Sequence, residues 1–506
     1  MTSLEERKLG DAIIRELYRD PDYIDDPVVG EYVDGIWRAL KAGARVRGEL
    51  PPELDERYAW DVLLGRDRSI NAFALPGGYF GLHLGLVGAV ASRDELASVL
   101  AHEMSHITQR HIPRLLSAQD RQAPLLLAAM VLGAIAASKN PQAGAALAVG
   151  GQAAVIQQQL NFSRDMEREA DRIGYGVMTQ SGFAGQGFVS MFEKLQAASR
   201  INDNGDWPYL RTHPLTTQRI ADMQQRQQSL ARGVEPPPGR PKAASAPAGG
   251  GAAGAAAERG GQLRSIDLEA LLIAGRARAL SRAGVDVLRG WADEPAQPGF
   301  ASRPLAQRVG ALYAAALAQA QLRDLPRAQA LATQLALAVA GDAKATQQAR
   351  LLQAELALRA GQPKRVLELL PATPRPAVAD PQGQAGRAAL LLRVQALTRD
   401  GQADEAAGAL QTWVSDHPRD AGAWRALAQA HDAAGHTLRA LRAEGEVQMA
   451  RMDYAGAVDR WRAAQDFSRK QPGGNADLIE ASIVDTRLRA AQEALKQQQL
   501  DEMKRK

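Results

Sequence analysis

No cysteine occurs among the 506 residues of this chain. That absence excludes disulfides, zinc–thiolate sites, iron–sulfur clusters and cysteine nucleophiles. A tight metal site would have to be built from histidine and carboxylate side chains, and histidine itself is scarce, at eight residues. Aromatic residues are only 5% of the chain, whereas alanine and leucine fill long stretches, a bias that favours helices. No run reaches the ~18 consecutive apolar residues of a membrane-spanning helix. The nearest, Leu125–Ala137 and Ala143–Ile156, are shorter and rich in Ala and Gly. Net charge is small, 61 Lys and Arg against 57 acids, and no long basic run points to nucleic acid. Met1–Asp20 is charged and lacks the apolar core of a signal peptide, so either the chain stays in the cytosol or its export signal lies outside this sequence.

What is present divides into three regions. With 45% hydrophobic and 23% charged residues, the chain has the composition of a globular protein rather than a disordered or polytopic one. Residues 1–231 are mixed and hold five of the eight histidines. Residues 232–264 are a Pro/Ala/Gly-rich stretch with almost no large apolar side chain, which cannot offset its ordering entropy and reads as a flexible linker. Residues 265–506 are rich in alanine and leucine with helical periodicity. There, aligned turns place Asp324, Gly361, Gly401 and Gly435 at equivalent positions, at intervals of 37, 40 and 34 residues. Such spacing resembles the tetratricopeptide repeat and favours an α-solenoid over a plain helical bundle. A Pro-rich insertion, Pro371–Pro381, occupies the longest interval, and MDYAGA at Met452–Ala457 resembles the start of another repeat helix.

The expected fold is mainly α, with a small antiparallel sheet near the N-terminus. Trp60–Leu64, Ile70–Leu75 and Tyr79–Leu86 are short apolar runs separated by Gly65–Ser69 and by Pro76-Gly77-Gly78, as in strands joined by hairpin turns.

The sharpest chemical feature is His102-Glu103-Met104-Ser105-His106. Ser92 and Glu95 have capping-box spacing, so a helix is expected to start at Arg93, with Leu96, Val99, Leu100 and Ile107 as its apolar stripe. His102 and His106 are then i, i+4 neighbours able to meet one zinc ion, and Glu103 reaches a water on that ion. An accidental HExxH is expected on the order of 0.01 times in a chain with so few histidines. A catalytic zinc also needs a third protein ligand and an open position. The candidates are a downstream carboxylate or histidine. Ser163–Asp171 suits this, because Glu167 and Asp171 share one helix face with the small residues Ala170 and Gly174, although a solvated charged face would read the same way.

NAFALPGG (Asn71–Gly78), HEMSH (His102–His106) and SRDMEREAD (Ser163–Asp171) together resemble the gluzincin peptidases that include HtpX and the CAAX prenyl proteases. The resemblance implies that Glu167 is the third zinc ligand and that Asp171 orients a ligand histidine. Thr212-His213-Pro214-Leu215, Arg219 and the repeat-like tail narrow the likeness to the periplasmic proteases that enhance outer-membrane β-barrel assembly. That implies a periplasmic location, unfolded or misassembled protein substrates, and contact of the repeats with the β-barrel insertion machinery. One Zn2+ per chain would supply metal-assisted amide hydrolysis, with Glu103 moving the proton. Asn71, Ala72 and Phe73, on an exposed edge strand, would bind an extended substrate by strand addition.

His213 has three readings: it stabilises the oxyanion, it fills the open metal position and holds the enzyme latent, or it is a structural loop residue. A switch in which substrate or partner displaces it is preferred. His83 and His111 read as structural, and His417, His431 and His436 as surface residues of the repeats. Pro124–Ile156 reads as a helical hairpin that lids the site or touches a membrane surface, or as ordinary core. The alternative function is a repeat chaperone or scaffold with latent or occasional proteolysis.

Overall fold

A computed structural model describes residues 1–117, 163–201, 208–231, 266–371, 386–470 and 478–503. The linker expected at 232–264, the hairpin expected at Pro124–Ile156 and most of the Pro-rich insertion lie outside these residues. Among the described residues no helix is long and apolar enough to cross a membrane.

The N-terminal part opens with α1 (Ser3–Arg19), β1 (Tyr23–Ile24), α2 (Pro27–Val46) and α3 (Pro52–Arg57). Three strands follow, β2 (Asp61–Gly65), β3 (Ala72–Leu75) and β4 (Tyr79–His83), then α4 (Leu84–Ala89) and α5 (Arg93–Thr108). The small sheet is present, but it is mixed: its order is β1-β2-β4-β3, with β2 parallel to β4 and the other two pairs antiparallel. The turn after β2 does reverse the chain, yet β4 inserts between the two arms. The reason is the tight return from β3. Gly77 and Gly78 both take the left-handed conformation, at φ 75° and 82°, and lock β3 to one edge of β4. The apolar β4 is buried over Tyr79–Leu82 and takes the centre, which leaves its other edge to β2.

Beyond α6 (His111–Ser117) lie α7 (Arg164–Gln180), α8 (Gln186–Ile201), α9 (Pro208–Thr212) and α10 (Thr217–Ala231). α5 begins where its cap signal places it: the Ser92 side chain accepts the Glu95 N–H. The Glu95 carboxylate turns instead to Ala91 N and Lys194 Nζ. Rather than presenting one apolar stripe, α5 is buried from Glu95 to Thr108, because the sheet and helices α2, α7 and α8 pack around it.

From residue 266 the chain is a helical repeat region in which, from its second helix on, each helix packs on the next. It starts with α11 (Leu268–Leu280) and α12 (Val285–Asp293) and continues through α13 (Leu305–Gln321), α14 (Leu325–Ala338), α15 (Ala343–Arg359) and α16 (Pro363–Leu369). α17 (Arg387–Arg399), α18 (Ala403–Asp416), α19 (Ala421–Ala433), α20 (Thr437–Ala450), α21 (Tyr454–Lys470) and α22 (Leu478–Met503) complete it. Gly361, Gly401 and Gly435 make the turns, at φ 71°, 82° and 77°. The equivalent of these glycines is Arg323, at φ 69°, one residue before the position the sequence alignment chose. Asp324 is the N-cap of α14, accepting Arg327 N. His431, expected at the surface, is buried.

One apolar core spans the N-terminal part and the first helices of the repeat region, joining Val29, Ile36, Leu40 and Leu100 to Ala270, Ile273, Leu351 and Ala388. A buried ion cluster pins the same junction. Arg276 on α11 donates to both oxygens of Asp26, at 2.8 and 2.6 Å, and to Glu355 at 2.6 Å. Asp26 is also the N-cap of α2.

Candidate metal centre

Two helices meet at the centre of the N-terminal part. The α7 N-cap is Ser163, whose side chain accepts Met166 N, and this sets Glu167 and Asp171 toward α5. Gly174 makes the approach possible: a Cβ there would lie 3.0 Å from the backbone of Ala101 and His102. Gly174→Val should push the helices apart and lower stability by about 1–3 kcal/mol, as overpacking does. An unchanged urea midpoint would contradict the close fit.

His102, His106, Glu167 and His213 are all buried, and their donor atoms lie within 4.8 Å of one another. His102 Nε2 is 3.0 Å from His106 Nε2, 3.4 Å from His213 Nδ1 and 3.5 Å from Glu167 Oε2. Glu167 Oε1 is 3.4 Å from His106 Nε2 and 3.0 Å from His213 Nδ1. Ligands on a tetrahedral zinc with bonds of about 2.0–2.1 Å sit about 3.3 Å apart, so this donor set fits such an ion. No cysteine is needed, and imidazole with carboxylate suits zinc among the common metals.

Electrostatics agree. Burial disfavours the charged form of His102, yet hydrogen bonds to Asp171 and Glu167 outweigh it and push the group up to about 10. Burial likewise opposes charge on Glu167, but His213, His102 and His106 hold its carboxyl well below the usual range. The pocket therefore stabilises a cation beside a carboxylate. Burial, helped by the neighbouring imidazoles of His102 and His213 and only partly offset by Glu167, pushes His106 far below the usual imidazole range.

Each expected residue can be located. His102 Nδ1 faces Asp171 Oδ1 at 2.8 Å, which puts the ring proton on Nδ1 and turns Nε2 inward. Glu103 is fully buried, and burial raises its carboxyl. Its Oε2 accepts Ala74 N at 3.1 Å, and its Oε1 lies 3.3 Å from His213 Nε2. His213 thus bridges Glu103 and Glu167, stacked on the buried Tyr209 ring at 4.7 Å. Tyr209 N in turn donates to Ile70 O, so the segment carrying His213 lies over the entrance to β3.

β3 is the last strand of the sheet. Asn71 O accepts His83 N, and in an antiparallel ladder the backbone direction alternates. Asn71 and Phe73 therefore turn their backbones to β4, whereas Ala72 and Ala74 turn theirs outward. Of the three residues expected to contact substrate, Ala72 alone turns its backbone away from β4, and it is fully buried; Ala74 turns the same way, its N–H donated to Glu103.

Two participants were missed in the sequence. Arg219, noted only as a neighbour, is buried and grips both α7 carboxylates: Nε and Nη2 donate to Asp171 at 2.6 and 2.8 Å, and Nη1 lies 2.7 Å from Glu167 Oε2. His111, read as structural, is buried with its Nδ1 2.8 Å from His106 Nδ1. The signal for His111 was available in principle, since it stands five residues after His106 in a chain with few histidines.

Comparison with known proteins places this constellation. The chain is 38% identical over 226 residues to the putative beta-barrel assembly-enhancing protease of Vibrio cholerae, covering 45% of each chain. It is 34% identical over 222 residues to the beta-barrel assembly-enhancing protease of Escherichia coli, covering 44% of each. The mitochondrial metalloendopeptidase OMA1 of Saccharomyces cerevisiae is 30% identical over 196 residues, which are 38% of this chain and 54% of that protein. The matches to the two bacterial proteases span less than half of their length. Residues 50–227, which contain all the side chains of the centre, match the model of peptidase family M48.

Proposed function

We propose that this chain is a zinc-dependent endopeptidase in which His102, His106 and Glu167 hold one Zn2+ and His213 holds the resting enzyme latent. The observation that carries this reading is the convergence of those donors at tetrahedral spacing with Glu103 beside them. Zinc bound there would supply a Lewis acid that polarises the scissile carbonyl and acidifies a water. Glu103, raised by burial, takes the water proton and passes it to the leaving amine. Asp171 fixes the His102 ring, and Arg219 holds Asp171 and Glu167 in place. An extended substrate pairs with the outer edge of β3 at the Ala74 carbonyl, beside the N–H that Glu103 holds, which selects unfolded segments over particular side chains.

In this reading residues 1–231 form the peptidase domain, 232–264 link it, and 265–506 form a tetratricopeptide-like repeat domain that recruits substrates or partners. The names of the bacterial relatives support a role in quality control and assembly of outer-membrane β-barrel proteins, and hence a periplasmic location. His213 close to both Glu103 and Glu167 favours a second element of the reading, in which proteolysis is occasional and the repeats also act as a chaperone or scaffold.

The test is zinc content and cleavage of an unfolded protein by the wild type, Glu167→Ala and His213→Ala. One zinc per chain is expected, lost in Glu167→Ala, with cleavage raised severalfold in His213→Ala. Zinc retained by Glu167→Ala refutes the ligand set. Unchanged cleavage and zinc affinity in His213→Ala refute the latch.

A further inference from the structure

We propose that His111 and Glu169 are positioning residues for the metal centre: they fix the ring of His106 as Asp171 fixes that of His102. The inference rests on the metal-centre reading above. His106 can give Nε2 to a metal only if its proton sits on Nδ1, and that N–H then needs a buried acceptor. The atom in place is His111 Nδ1, at 2.8 Å. His111 Nε2 lies 3.1 Å from Glu169 Oε2, and Arg114 Nη1 donates to the same oxygen at 2.8 Å. The carboxylate accepts a hydrogen bond from His111 Nε2–H, which leaves Nδ1 as the acceptor that His106 requires. The two rings are edge-on, with centroids 4.8 Å apart.

The backbone is bent to make this contact. α5 stops at Thr108, and Arg110 adopts φ 53°, a left-handed conformation that an L residue with a side chain disfavours. The turn is clamped from α1: Arg110 Nη2 donates to Met1 O at 2.8 Å and to buried Glu6 at 3.3 Å. A straight continuation of α5 would carry residue 111 away along the axis. The clamped turn instead seats His111 beneath His106. Core filling alone explains neither two engaged ring nitrogens nor the partly exposed carboxylate at the end of the chain of bonds.

Zinc-loaded wild type, His111→Phe, His111→Gln and Glu169→Ala would be compared by the rate of zinc loss to a chelator and by the visible spectrum of the Co2+ form. His111→Phe keeps the ring volume without an acceptor and should weaken zinc binding about 10–100-fold, with an altered Co2+ spectrum. His111→Gln can accept from His106 and donate to Glu169, so it should recover most of both. Glu169→Ala should lose zinc a few-fold faster. Zinc loss and spectrum in His111→Phe equal to wild type would overturn the proposal, as would a glutamine variant no better than phenylalanine. Should metal-free His111→Phe melt below the metal-free wild type, Glu169→Ala decides, and an unchanged rate of zinc loss there overturns it. A wild type that takes up no zinc overturns this inference together with the metal-centre reading, whereas a zinc-binding wild type with unaffected variants overturns this inference alone.

Discussion

Glu103→Gln should lower cleavage of an unfolded protein by about 10²–10⁴-fold, the usual contribution of a general base, while one zinc per chain is retained. The amide is nearly the size and shape of the carboxylate. Its oxygen can keep the hydrogen bond from Ala74 N that Glu103 Oε2 now accepts, so β3 and α5 need not move. What turns toward the centre is then an NH2 group, which has no lone pair for a proton. Single-turnover cleavage and metal analysis on the same preparations separate the two effects. Residual activity above a tenth of wild type would remove Glu103 from the proton-transfer role, and loss of zinc would show that its carboxylate supports the ligands.

The second large effect concerns the junction between the N-terminal part and the repeats. Arg276→Met should destabilise the protein by about 3–5 kcal/mol, because it strands the buried Asp26 carboxylate without its partner. A double variant with Asp26→Asn should recover part of this loss, since asparagine can still cap α2. Burial opposes ionisation of Asp26, but Arg276 and hydrogen bonds from the α2 backbone hold its carboxyl below the usual range. A depressed carboxyl adds stability that is complete above the unfolded value of about 3.9 and is lost as pH falls through the folded value. The Arg276→Met deficit, read from urea midpoints, should therefore be full at pH 7 and shrink below about pH 4. A deficit under 1 kcal/mol, or one that grows in acid, would mean that the pair does not hold the junction.

Local signals carried the parts of the molecule that local physics decides. Ser92 announced the start of α5, HExxH placed two imidazoles one helical turn apart, and Gly174 hinted at the close crossing, where a Cβ would lie 3.0 Å from the α5 backbone. What escaped depends on distant partners or on backbone choices that several residue types can make. No feature of Trp60–Leu64 states that its neighbour will be β4 rather than β3, because strand pairing is settled by burial of β4. Arg323 turns the chain where its counterparts are glycines, so an alignment on glycine misses it by one residue. Arg276 and Asp26 are 250 residues apart, and neither charge looks different from its exposed neighbours until both are buried. His111 falls in none of the matched motifs, and a straight helix would carry it off the ligand face, but the left-handed Arg110 cancels that periodicity.

The same short segment that carries His213 also carries Arg219, whose guanidinium is anchored on Asp171 and Glu167 and also donates to Pro214 O at 2.8 Å. His213 is thus on a leash one residue long. Any wide swing of the loop would drag Arg219 off the two carboxylates and dismantle the centre it is meant to uncover. Release in this reading is therefore a rotation of the imidazole about its own side-chain bonds, over a few ångströms, with the main chain at rest. An enzyme gated in this way can be armed one molecule at a time by whatever turns the His213 ring aside, and it closes again as soon as that guest departs.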